Sequence, residues 1–162
     1  VWGMTRIYQS FSHSWRRVVA VLLPLGLMAL VFVVSSIPAD LEAPQASSFG
    51  WVPPALQNLL HIPLYGLLAV LWFRALVALN VPGRWPFILA LFFSFTYGLL
   101  DEWHQSFVPG RFASLTDVSL NLLGVVLGLC FCQMLLRRGE DREPRRDEET
   151  RRKAEIATDR GG

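Results

Sequence analysis

Charge is scarce in the first 136 residues of this 162-residue chain. They hold six Arg and five acids, while residues 137–162 carry nine basic and eight acidic side chains. A soluble domain of this length would carry more charge and spread it evenly. Overall 17% of residues are charged and 52% are hydrophobic, with a mean hydropathy of +0.37. That pattern describes a membrane-embedded body followed by a charged tail.

Cysteine is nearly absent. Cys130 and Cys132 lie two apart in an apolar run, so on a helix they point to nearly opposite sides. This excludes a disulfide framework and offers no metal site; the pair reads as small apolar packing residues. A basic stripe with interleaved aromatics is also missing, which excludes a nucleic-acid partner. The net charge of +2 comes partly from a tail of mixed sign. No H-E-x-x-H or Cys/His ligand spacing occurs, so no metal or other cofactor is expected. Ser106 and Ser114 lack the G-x-S-x-G surroundings of a nucleophile. There is no internal repeat.

What the chain does have is long apolar runs. Val18–Ile37 holds twenty residues without a charge, enough to cross the hydrocarbon core as a helix. It is too long for a signal-peptide core, and further runs follow it, so it reads as an uncleaved anchor. Leu59–Leu79 contains Arg74 near its far end, from where a long side chain can reach the interface. Pro86–Leu100 is short and rich in Phe, and Val118–Leu136 ends at Arg137 and Arg138. The expected fold is all-α: an integral membrane protein of four transmembrane helices. Residues 1–17 form an N-terminal segment, 18–136 the membrane domain and 137–162 a charged, disordered tail.

Arginine placement orients it. Arg6, Arg16, Arg17, Arg84, Arg137 and Arg138 fall on one side of a four-span bundle. Asp40, Glu42, Asp101, Glu102 and Asp117 fall on the other, with Arg111 alone among them. Both termini are therefore expected in the cytoplasm and the acidic face outside. Residues 38–58 read as a Pro-rich external loop with Phe49 and Trp51 suited to the interface, and residues 80–84 as a tight turn.

The external end gathers polar groups. If the third helix runs through residue 105, Asp101, His104 and Gln105 share a face, with Glu102 beside it. Val108-Pro109-Gly110 suits a type II turn, and Arg111 follows. Ser114-Leu115-Thr116-Asp117 matches the capping-box pattern, with Ser114 capping the fourth helix and Asp117 reaching back. Asp117, Asn121, Gly124 and Gly128 form one stripe, whose lower half is a close-packing pattern for membrane helices. His61 and Tyr65 lie one turn apart on the second helix. Three helices thus bring polar residues to one depth, where ionisable groups need partners or a function.

The run Asp101-Glu102-x-x-Gln105-x-Phe107-x-Pro109-x-Arg111, with Asp117, Asn121, Gly124 and Gly128 after it and the His61–Tyr65 pair before it, resembles the signature of the VanZ-like family. The likeness covers roughly Ser35 to Leu136. In one departure, Asn58 stands where that family often has a Lys three residues before the His. The resemblance implies a small multi-pass protein of the bacterial cell membrane. It implies a link to resistance against glycopeptide antibiotics such as teicoplanin, which act at the outer face of that membrane.

Three roles stay open. One is binding: Arg111, with Gln105, Asn121, Asp117, Tyr65 and His61, would engage the headgroup of a membrane lipid or lipid-linked envelope precursor, the Arg fork suiting a phosphate or carboxylate. Another is an intramembrane enzyme, with Asp101 or Glu102 as base and His104 or His61 as acid. The third is a scaffold or transporter subunit, in which Gly124 and Gly128 pack a partner and the acids form an ion-pair network with Arg111. Four spans are few for a stand-alone transporter, and a homo-oligomer would supply the rest.

Overall fold

The computed structural model describes residues 2–38, 58–111 and 113–140. The loop over 39–57, with Asp40, Glu42, Phe49 and Trp51, and the tail beyond residue 140 lie outside the described residues. Among the described residues four helices follow one another: α1 (Trp2–Ser35), α2 (His61–Ala78), α3 (Trp85–Gln105) and α4 (Leu115–Glu140). No strand occurs among the described residues. The chain clusters into two compact units, Val1–Leu129 and Cys130–Gly162. The packing and the site described below belong to the first unit. The second continues α4 to its end.

Among the described residues three stretches are long and apolar enough to cross a membrane: Ser14–Ser35, His61–Ala78 and Leu115–Arg138. α3 has 21 residues but is less apolar, because its last turns hold Asp101, Glu102, His104 and Gln105. The all-α expectation holds among the described residues, where three of the four helices expected to span meet the standard of a span.

Packing runs opposite to that of a water-soluble core. Leu23, Leu30, Phe32, Phe92, Leu123 and Leu127 are exposed, while Ala69, Ala75, Ala90 and Ser94 are fully buried. Lipid tails are as apolar as Leu, so small residues that let backbones approach closely hold such helices together. On α3 the buried positions Ala90, Ser94 and Gly98 recur every four residues and lead directly to the acids. A Cβ on Gly124 would overlap the Ile62 carbonyl, and one on Gly128 would overlap the Gly66 carbonyl. The Gly stripe of α4 therefore packs against the backbone of α2.

The α2–α3 and α3–α4 connections have identifiable chemistry. At the end of α2, Val81 N–H donates to the Leu76 carbonyl at 3.0 Å and Asn80 N–H to that of Val77 at 2.9 Å. Asn80 has φ of +60°. This is a Schellman ending with Asn in the left-handed position. Between α3 and α4, Arg111 N–H donates to the Val108 carbonyl at 3.1 Å, and Gly110 has φ of +76°. That is the type II turn expected at Pro109-Gly110.

Candidate functional site

The shared end of α2, α3 and α4 is a buried polar cluster. Asp101, Glu102 and Gln105 of α3 and Asp117 and Asn121 of α4 are all buried, Asn121 completely. Tyr65 of α2, also buried, donates its hydroxyl to Asp101 Oδ2 at 2.9 Å. Gln105 Nε2 donates to the same oxygen at 3.1 Å. Two donors on one oxygen lock the carboxylate and turn Oδ1 elsewhere; Oδ1 is buried without a partner among the described residues.

His61 is held in a similar way. Its Nδ1 lies 2.8 Å from Asn121 Oδ1 and 3.9 Å from Glu102 Oε1. An amide oxygen only accepts, so Nδ1 carries the hydrogen and neutral His61 keeps its lone pair on Nε2. Gly98 makes room for this arrangement. A Cβ there would stand 3.2 Å from the Tyr65 ring and 3.3 Å from Asn121.

Glu102 takes a part expected of Asp117. Ser114 Oγ accepts from Thr116 N–H at 3.2 Å, the expected cap. The reach-back to the Ser114 amide, however, comes from Glu102 Oε2 on α3 at 3.1 Å. Asp117 points into the cluster instead, where its Oδ1 is buried and unpartnered. Glu102 Oε1 and Asn121 Nδ2 are in the same condition. Such groups are costly to bury unless something hydrogen-bonds them.

Two residues with sequence-assigned roles face α1. Arg111 donates from Nε to the Ile37 carbonyl at 3.0 Å and from its second terminal nitrogen to the Val34 carbonyl at 3.3 Å. It satisfies the end of α1, where a cation also suits the helix dipole. It makes no ion pair with the acids among the described residues. His104 Nε2 lies 3.0 Å from Ser36 Oγ, and its ring packs tilted against Phe32 with centroids 4.6 Å apart. It thus tethers α3 to α1, apart from the His61 group.

Between these elements lies a cavity of about 230 Å³. His61, Asp101, Gln105 and Arg111 supply its polar lining, and Leu30, Val31, Val34 and Leu64 are among its apolar walls. Buried Ser35 also lines it. Sequence reasoning missed Ser35 because the participation of α1 had no motif to announce it. It also missed Gly66 and Gly98. Gly98 was legible as the last step of the four-residue spacing Ala90, Ser94, Gly98. Among the described residues no three His, Cys, Asp or Glu side chains stand as a metal would require.

No curated protein and no solved structure matches the chain. A family model does: the one described as VanZ/LLP1 matches residues 4–137, from the start of α1 to the last turn of α4. Having that match over most of its length, with the polar cluster at its centre, the chain belongs to the VanZ/LLP1 family.

Proposed function

We propose that this VanZ-type membrane protein binds, at the outer face of the cell membrane, the polar headgroup of an envelope lipid or lipid-linked precursor. Both termini then lie in the cytoplasm. The observation that carries this reading is the cavity of about 230 Å³ lined by His61, Asp101, Gln105 and Arg111. Its chemistry is mixed. Arg111 has donors left after its two carbonyl bonds, and Asp101 Oδ1 is a buried acceptor without a partner. A headgroup with both hydroxyls and an anion suits such a lining, since each buried polar atom gains a partner. The apolar walls from α1 and α2 suit an attached acyl or prenyl chain. Holding or shielding such a lipid would account for a link to glycopeptide resistance, because teicoplanin acts at that face.

The test compares lipids that co-purify with the wild-type chain, Arg111→Lys and Asp101→Asn, identified by mass spectrometry. The same variants are scored for teicoplanin susceptibility at matched protein level. Lys cannot reproduce the planar fork, so Arg111→Lys is expected to lose the bound lipid and any resistance. Wild-type lipid retention in both variants would end this reading.

A second reading, an enzyme acting on the same headgroup, draws support from the anchoring of two groups. Asp101 is held through Oδ2 with Oδ1 unpartnered, and His61 is held through Nδ1 with Nε2 carrying its lone pair. This suits Asp101 or Glu102 as base; His61 would serve as acid only after Nε2 has itself taken up a proton. It requires turnover of labelled lipid by purified protein. Undiminished turnover in Asp101→Asn would remove the proposed base.

A further inference from the structure

The larger cavity lies at the other end of the α1–α2 pair. It has a volume of about 520 Å³, and Arg16 and Arg17 of α1 and Arg74 of α2 line it together with Trp15 and Asn80. Among the described residues none of the three arginines has an ion pair or side-chain hydrogen bond. Arg74 is also unusual in position. It belongs to the apolar stretch His61–Ala78, one turn before the end of α2. A charge there is costly unless it reaches water or a partner. Arg74 is exposed and lines one space with Arg16 and Arg17, which are exposed as well, so three positive charges border that space and an anion there would relieve their repulsion. The remaining walls, Val19, Ala20, Leu23 and Leu71, are apolar and continue into the membrane-crossing part of both helices.

We infer that this cavity binds the phosphate headgroup of an anionic membrane phospholipid, gripped by Arg16, Arg17 and Arg74, with its acyl chain along Leu23 and Leu71. The arginines match phosphate in charge and in fork geometry. The apolar walls favour a lipid over free phosphate, which would leave them without a partner. Trp15, exposed at the rim, suits the headgroup level, where indole rings gather. The site shares no residue with the His61–Asp101 cavity, so either proposal can fail alone.

The test is native mass spectrometry of the full chain in detergent with added phosphatidylglycerol or phosphatidylcholine. Each arginine near an anionic lipid surface contributes about 1 kcal/mol, or about fivefold. Arg74→Gln is therefore expected to lower phosphatidylglycerol retention about fivefold, and Arg16→Gln with Arg17→Gln more than tenfold. Arg84→Gln, which removes a cation from the α2–α3 turn outside this lining, is expected to leave retention unchanged. Thermal melts in phosphatidylcholine check that each variant folds. If Arg74→Gln fails to fold, the Arg16→Gln, Arg17→Gln pair gives the result alone. The proposal is overturned by equal retention of the two lipids by wild type, by equal loss in Arg84→Gln, or by displacement of phosphatidylglycerol by millimolar inorganic phosphate. Phosphatidylglycerol retention that rises when residues 139–162 are removed would assign the cavity to the acidic groups of that segment and also overturn it.

Discussion

The Ser114 amide donates to Glu102 Oε2 at 3.1 Å, so an acid at the end of α3 closes the first turn of α4. The expected donor–acceptor pair within α4 would have joined residues three apart. The observed one joins residues twelve apart and fastens two helices at their common end. It also frees Asp117 to face the cluster.

Glu102→Ala is expected to lower stability by about 1–2 kcal/mol, the range for losing a helix cap, seen as a drop in melting temperature in detergent. Glu102→Gln keeps an oxygen acceptor and should retain most of that stability. A melt for Glu102→Ala equal to wild type would show that the contact is energetically idle.

Substitution in the Gly stripe should be worse. Gly124→Leu must displace the Ile62 carbonyl, which belongs to a helix backbone and yields little. A loss of about 3 kcal/mol is expected, the upper end of the usual range for overpacking. Gly26 has nothing within 4 Å of its would-be Cβ. Gly26→Ala should therefore be neutral or gain up to about 1 kcal/mol from helix propensity. Similar melts for the two variants would contradict the close α2–α4 approach.

Tyr65→Phe removes one of the two donors on Asp101 Oδ2 and leaves the ring in place. A hydrogen bond to a charged group is worth about 1.5–3 kcal/mol, and the melt should fall accordingly. Gln105→Leu removes the other donor. Because the two share one acceptor, the double variant is expected to deviate from additivity by more than about 0.5 kcal/mol. Strict additivity would show that they act separately.

The His61 tautomer is set by Asn121, which gives a spectroscopic check. In wild type, nitrogen NMR of labelled His61 should show Nδ1 protonated and Nε2 bare. Asn121→Leu should convert this to a mixture dominated by the Nε2–H form, the usual preference of an unconstrained imidazole. An unchanged spectrum would mean that another group orients the ring. His104→Ala, by contrast, should loosen the attachment of α1 through Ser36 and Phe32 and leave the His61 signal as it is.

Much of the site was legible because helix geometry is local. Once Asp117, Asn121, Gly124 and Gly128 are placed on a helix, spacings of four, three and four put them on one face. The same rule joins His61 to Tyr65 and Asp101 to Gln105. The turn at Pro109-Gly110 was legible because Pro and Gly restrict φ in known ways. The partners of Arg111 were not legible. They are main-chain carbonyls of Val34 and Ile37, which lie 77 and 74 residues away, and a carbonyl leaves no mark on the residue type that bears it.

The sequence by itself determined the apolar runs of the four helices, and that the last three bring small or polar faces to one depth. It could do so because apolar runs and i, i+4 spacing act within a single helix. Only the tertiary structure decided which polar atom serves which. It gave Arg111 and His104 to α1, Glu102 to the cap of α4, and His61 to Asn121. Those choices depend on helices a few ångströms apart competing for the same donors and acceptors. Sequence separation carries no record of that competition.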